Sequence, residues 1–248
     1  MKQRAQAPRW FTSEREYVCT DFMSANLGAE NAIIALTSDF YPRIVKLPDF
    51  KDRKRAPHIN GAIAGRLGSN LVVYKSSIGA PAAAVLMETL IASGVKRLLM
   101  LGIAGSISTE CRMGDVVLPT WGIREEGTSY HYLPGNVKVR PSKHLVAAIR
   151  QHLGPGRCKE GGVWSIDAPY RETKGKIKEY ASRGVVAVDM ESTALMAVAM
   201  HRRVDFAPIL VISDEAFGED WMPGFGNRKV AEASAFVCRS ALRCVTHC

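Results

Sequence analysis

Two carboxylates stand where apolar runs end. Glu191, within Asp189-Met190-Glu191-Ser192, follows the run Val185–Val188, and Asp214, within Ser213-Asp214, follows Ala207–Ile212. Glu191 has two readings. In a helix's first turn it is favoured by the dipole; in a cleft it is a bidentate acceptor for a vicinal diol. Asp214 likewise reads either as a turn or cap residue or, in a partly desolvated cleft, as a general acid. Gly102-Ile103-Ala104-Gly105 follows the run Arg97–Leu101. Its glycines allow close backbone approach to a ligand, although a plain strand-ending turn uses glycine equally well. The segment Trp164–Arg171 is aromatic-rich, suited either to stacking on a planar base or to packing on a sheet. His131 lies in Arg124–Tyr132; with no GxSxG elbow and no HExxH in the chain, it reads as a structural or rim histidine. Neither GxGxxG nor GxxxxGK[ST] occurs, which excludes the common dinucleotide fingerprint and the P-loop.

The elements that would position these residues alternate along the chain. Ala32–Thr37, Leu71–Lys75, Arg97–Leu101, Val116–Pro119, Val185–Val188 and Ala207–Ser213 read as buried strands. Pro81–Ser93, Ser142–Leu153, Thr173–Ser182, Met190–Arg202 and a last stretch near Asn227–Cys244 read as helices. Pro81 suits a helix start, Gly94 a helix end, and Asp189 can cap the helix that follows it. The alternation predicts an α/β fold: one domain with a mostly parallel twisted central sheet flanked by helices on both sides. Ligands gather at the carboxyl ends of strands in such folds. That rule directs attention to Ser76–Pro81, Gly102–Ile107, Val188–Ser192 and Ser213–Phe217. Residues 1–30 are polar and weakly periodic and read as an arm or an oligomer contact.

Composition narrows the classes. With 248 residues, 47% hydrophobic and 23% charged, the chain has material for a sizeable core and is not a disordered sequence. No apolar run approaches the length of a membrane span, and the first residues carry no apolar signal core, so a cytoplasmic protein is expected. Six cysteines without a CxxC pair read as reduced thiols. Cys244, His247 and Cys248 match no common zinc spacing, so no metal is expected. The net charge of +9 is densest over Arg43–Arg66. Without aromatic interleaving, that segment reads as a solvated face or an attraction for a small anion rather than a specific nucleic-acid site.

Five segments in order resemble one family. They are Ile78-Gly79-Ala80-Pro81, Gly102-Ile103-Ala104-Gly105-Ser106, Gly114-Asp115-Val116-Val117, Val188-Asp189-Met190-Glu191-Ser192 and Ile212-Ser213-Asp214. Together, over about Ala32 to Ser240, they resemble the nucleoside phosphorylase superfamily, which holds purine nucleoside phosphorylases, uridine phosphorylases and methylthioadenosine-type nucleosidases. The resemblance implies a catalytic domain over 31–248, a homo-oligomer, a nucleoside and phosphate as substrates, and no metal or organic cofactor. It assigns the ribose hydroxyls to Glu191 with Met190, and the purine N7 proton to Asp214. Ala104, Gly105, Ile166, Val188 and Ser213 match positions of the base pocket. Of the family's amino-terminal phosphate loop, Ser38–Arg43 is a distorted counterpart in which Arg43 is the matching cation.

Two positions depart from the phosphorylase pattern. Met100 stands where phosphorylases carry an arginine on the phosphate, and Ile103 where a serine or threonine follows the first loop glycine. Both changes remove bonds to a dianionic nucleophile. Nucleosidases of the fold also lack that arginine, but their water-activating glutamate has no clear match, Glu30 being a poor one by position. The resemblance therefore implies cleavage of a nucleoside's N-glycosidic bond with phosphate as nucleophile. Hydrolysis by water, action on a nucleotide, and binding without catalysis remain as alternatives. Asp214 favours a purine, because uridine phosphorylases generally lack it, while Arg171 keeps a pyrimidine open.

Overall fold

The structure is a computed structural model that describes residues 8, 10–18, 24–47, 50–51, 64–67 and 70–247. In chain order the elements are β1 (Asn31–Ala35), α1 (Thr37–Ile44), β2 (Phe50–Lys51), β3 (Ala64–Leu67), β4 (Leu71–Lys75), α2 (Ala80–Ala92), β5 (Arg97–Ser106) and β6 (Val116–Glu125). There follow α3 (Ser129–Tyr132), α4 (Lys143–Leu153), β7 (Lys159–Ile166), a 3-10 turn (Pro169–Arg171), α5 (Lys174–Ala181) and β8 (Val185–Asp189). The chain ends with α6 (Ser192–Arg202), β9 (Asp205–Glu215), β10 (Met222–Pro223) and α7 (Arg228–His247). No helix among the described residues is long and apolar enough to cross a membrane.

The sheet is mixed and closes on itself, which corrects the mostly parallel expectation. β5 runs parallel to β1 and β9, but its end, Gly105–Ser106, pairs antiparallel with β8. β9 is antiparallel to β6, and β6, β7 and β8 follow in parallel, so β5, β9, β6, β7 and β8 form a barrel-like circuit. The reason lies in strand length. β5 and β9 have 10 and 11 residues, longer than the apolar runs suggest, and β5 changes register between Ala104 and Gly105. The segment Gly102–Gly105 is thus interior strand rather than a strand-ending turn. Such bulges re-aim side chains at sheet rims and beside sites.

Helices cover both faces, as expected. Side chains of β1 and β5 alternate between two cores with the period of a strand. Ala32, Ile34, Leu98 and Met100 pack with residues of α2 and α6, whereas Ile33, Ala35, Leu99 and Leu101 pack with those of α1, α4 and α7. A third cluster, Trp164, Ile166, Ile177, Val185 and Val188 with Ile107, fills the space beneath α5. The arm before β1 lies along the domain where it is described. Trp10 stacks on His131 at 4.9 Å between centroids, and Glu16 pairs with His201 and Arg202.

Candidate functional site

The carboxyl ends of β5, β8 and β9 open into one cavity of about 440 Å³, a size suited to a small organic ligand. The convergence follows from the sheet. β5 sits between β8 and β9, so Gly105 is paired with Val188 on one side and Asp214 on the other. A Cβ at Gly105 would lie 2.9 Å from Asp214 Oδ2 and 3.2 Å from Val188 Cγ1. Glycine is required there by close approach and not by a turn. Ala104, Gly105, Val188, Met190, Glu191, Ser213 and Asp214, which the sequence singled out, all line the cavity.

Glu191 is 6% exposed and stands at the start of α6. Its Oε1 accepts from the Gly79 amide at 2.6 Å, just ahead of α2, and its Oε2 from the Met190 amide at 3.3 Å. Burial, with the neighbouring Asp189 carboxylate, pushes its pKa up to about 7. Asp189 is itself held by Ser165 Oγ at 2.5 Å and the Ser192 amide at 3.0 Å; α6 starts at Ser192 with Glu191 as its N-cap, so Asp189 is not the cap residue expected but accepts from the first amide of the helix from just ahead of it. Its buried position raises its pKa as well. Two amide donors on an otherwise dry carboxylate fix the aim of Glu191 at the cavity.

Asp214 is fixed from two sides. Ser213 Oγ donates to Oδ1 at 2.6 Å, and Trp221 Nε1 to Oδ2 at 2.8 Å. Trp221 belongs to the connection between β9 and β10, as do Glu219 and Asp220, which also line the cavity. Trp221 and Phe225 are 57% and 64% exposed, forming an apolar rim that the sequence reading did not include. The signal was present as aromatics spaced through a glycine-rich polar stretch, 217–226, where a core offers them nothing to pack on. Glu172, also missed, lines the cavity half-buried after the 3-10 turn, and burial beside Asp214 pushes its pKa up to about 7.

Other predicted residues lie elsewhere. Ile166 is packed in the cluster with Trp164, Ile177 and Val188, beneath the lining and not in it. Trp164 is buried there too, so from the aromatic-rich segment only Pro169 and Tyr170 reach the cavity. Ser38–Arg43 forms part of helix α1 and is not a loop. Phe40, Tyr41 and Ile44 bury that helix against α7, and Arg43, near Cys238 of α7, lies outside the cavity lining. Met100 is a fully buried core residue and Ile103 lines the cavity. The charged lining among the described residues is Glu172, Asp189, Glu191, Asp214, Glu219 and Asp220 against Lys174. Most of the basic segment, 52–63, lies outside the described residues.

The chain is 26% identical over 175 residues to a guanosine phosphorylase of Halorubrum lacusprofundi, covering 67% of each chain. It is 28% identical over 158 residues to a DeoD-type purine nucleoside phosphorylase of Bacillus cereus, covering 62% of this chain and 67% of that one. A crystal structure of purine nucleoside phosphorylase from Toxoplasma gondii in complex with immucillin-H shares the fold. Its TM-score is 0.77 at 17% identity, over 89% of this chain and 92% of that one. The profile of the phosphorylase superfamily matches residues 31–243. The chain therefore belongs to the phosphorylase superfamily.

Proposed function

We propose that the cavity binds a nucleoside, a purine one in preference, and cleaves its N-glycosidic bond with phosphate as nucleophile, releasing free base and ribose 1-phosphate. The observation that carries this reading is the meeting of Glu191 and Asp214 in one cavity around Gly105. Relatives named for guanosine and purine nucleosides support the base class. Glu191 accepts from the ribose 2′- and 3′-hydroxyls through the carboxylate that Gly79 and Met190 aim, and Met190 lies against the sugar. Departure of the base leaves an oxocarbenium-like sugar, so the work of the site is orientation and protonation of the leaving group. Asp214 serves the base side, with Ala104, Gly105, Val188 and Ser213 around the ring.

A second reading, attack by water, is favoured by one observation. Lys174 is the cation among the described lining residues, facing several carboxylates, and Met100 leaves the core position of β5 uncharged. Both readings share the sugar and base roles. Steady-state kinetics on Asp214→Asn and Glu191→Ala with inosine and guanosine test those roles. Asp214→Asn is expected to lower kcat by about 100-fold or more, the usual scale of general-acid loss. Glu191→Ala is expected to raise KM and lower kcat together. Wild-type constants in both variants would remove these residues from the site.

A further inference from the structure

Asp214 stands near the end of β9, just before the connection to β10, and much of what holds that end lies outside the cavity. Successive side chains of a strand point to opposite faces, so Asp214 enters the cavity while Glu215 turns away from it. Glu215 is buried, and its carboxylate accepts from Arg112 Nη1 at 2.8 Å and from the Met113 amide at 3.0 Å. The Arg112 guanidinium also lies over the Phe217 ring, 4.7 Å from its centroid. One cation thus grips the strand at 215 and the connection at 217, on either side of Ala216, which lines the cavity.

The segment that supplies this cation is itself fixed. Asp115 Oδ2 accepts from the Arg112 amide at 2.9 Å, and the Ser106 hydroxyl donates to the Cys111 carbonyl at 2.8 Å. The Gly114 amide donates to the Ile212 carbonyl, and the Ile212 amide to the Asp115 carbonyl, both at 2.9 Å. Cys111–Asp115 is therefore tied to β5 one residue past Gly105 and to β9 two residues before Asp214. The connection returns onto the same segment, since a Cβ at Gly224 would clash with Met113 Sδ and the Ser213 carbonyl oxygen. Met222 pairs with Glu215 and Pro223 with Asp214, so the brace also sets where Trp221, one residue before β10, donates to Asp214 Oδ2.

We propose that Arg112 and Glu215 are positioning residues: their ion pair, with Phe217 under the guanidinium, sets the end of β9 and the return of its connection so that Asp214 and its donor Trp221 meet the base. This rests on the reading of the site as one that cleaves a purine nucleoside. A pair serving stability alone would leave turnover unchanged in a folded variant. A pair that aims Asp214 must lose its effect once Asp214 is disabled.

Base release from inosine and guanosine with phosphate is measured as kcat and KM, each protein below its unfolding midpoint. The variants are Arg112→Met, Arg112→Lys, Glu215→Gln, Asp214→Asn, and Arg112→Met combined with Asp214→Asn. Arg112 is half-exposed, so its exchange leaves the core intact. Glu215→Gln keeps an acceptor for the Met113 amide and removes the ion pair without leaving a buried charge unpaired. Arg112→Met and Glu215→Gln should each lower kcat about tenfold with KM within about twofold, the result of a small misplacement of the acid. Arg112→Lys, which keeps the charge, should recover part of the rate. On the Asp214→Asn background, Arg112→Met should cost less than about twofold, because the group it aims is already disabled. An undiminished loss on that background would mean that Arg112 acts on another part of the site. Wild-type kcat in Arg112→Met and Glu215→Gln, or a raised KM with kcat unchanged, would mean that the pair does not aim Asp214. Each of these results overturns the positioning role and leaves the proposed reaction standing. A wild type that releases no base from either nucleoside refutes the reaction itself, and the positioning role with it.

Discussion

Replacing Glu191 by glutamine should make the protein more stable at alkaline pH and leave it unable to hold a sugar. Glu191 is 6% exposed and its carboxyl pKa is pushed from an ordinary 4.5 up to about 7. Between those values the folded state binds a proton that the unfolded chain has released. Stability therefore falls as pH rises through this window, and the whole penalty is present above pH 7. A rise of that size corresponds to roughly 3 kcal/mol. Glutamine has nearly the same shape and no charge, so it escapes the penalty. Its carbonyl oxygen still accepts from the Gly79 amide, but its NH₂ faces the Met190 amide and leaves two donors opposed, a cost of about 1 kcal/mol. The net gain at pH 8 is about 2 kcal/mol. At pH 5, with the wild-type carboxyl mostly protonated, the gain should vanish or change sign. Urea unfolding of both proteins at pH 5 and pH 8, at one protein concentration, reads the difference directly. Unfolding midpoints separated by the same amount at both pH values would refute the claim that the site holds a costly buried charge. Greater stability together with lost base release is the mark of a group kept for function.

Three other outcomes follow from distances in the site and its support. Gly105→Ala places a Cβ 2.9 Å from Asp214 Oδ2, a carboxylate pinned by Ser213 and Trp221, and 3.2 Å from Val188 Cγ1, so kcat/KM for base release should fall by about 100-fold and chemical unfolding should show a loss of about 1–3 kcal/mol. Trp221→Phe keeps the rim ring but removes the donor to Oδ2; kcat should drop several-fold with KM little changed, measured by steady-state kinetics. Arg124 donates to the carbonyls of Ser129, Leu133, Pro134 and Val137 and to Ser129 Oγ, which tie the β6–α3 segment. Arg124→Met should cost about 3–5 kcal/mol in chemical unfolding, because it orphans several buried acceptors at once.

What was legible in the chain follows from local pattern, and what was not depends on partners distant in sequence. α2, α4, α5, α6 and α7 lie within a residue or three of where periodicity and caps put them, and β4 ends where its apolar run does. β7 was invisible because Gly161 and Gly162 break its apolar pattern. In the fold they are strand residues pressed against Val186 and the Trp121 ring, where a Cβ would lie within 2.9 Å of either. The extension of β5 through Gly102 and Gly105, and with it the closed circuit, requires β8 and β9 to be present on its flanks. α1 was hidden by reading Ser38–Arg43 as a loop, Pro42 notwithstanding. In the site, Glu191, Asp214 and Gly105 were readable because each ends or interrupts an apolar run. Glu172 was not, since only the fold brings its segment to the end of β9, while Trp221, in the connection that follows β9, showed only as one of the aromatics of the polar stretch 217–226.

The central claim is that this cavity breaks a purine nucleoside with phosphate. The most direct measurement is base release from inosine, adenosine, guanosine and uridine by phosphate-stripped protein, with and without added phosphate. The account predicts release from one or more of the purine nucleosides, dependent on phosphate, with ribose 1-phosphate as the sugar product. Free ribose formed without phosphate, or release from uridine alone, would contradict it.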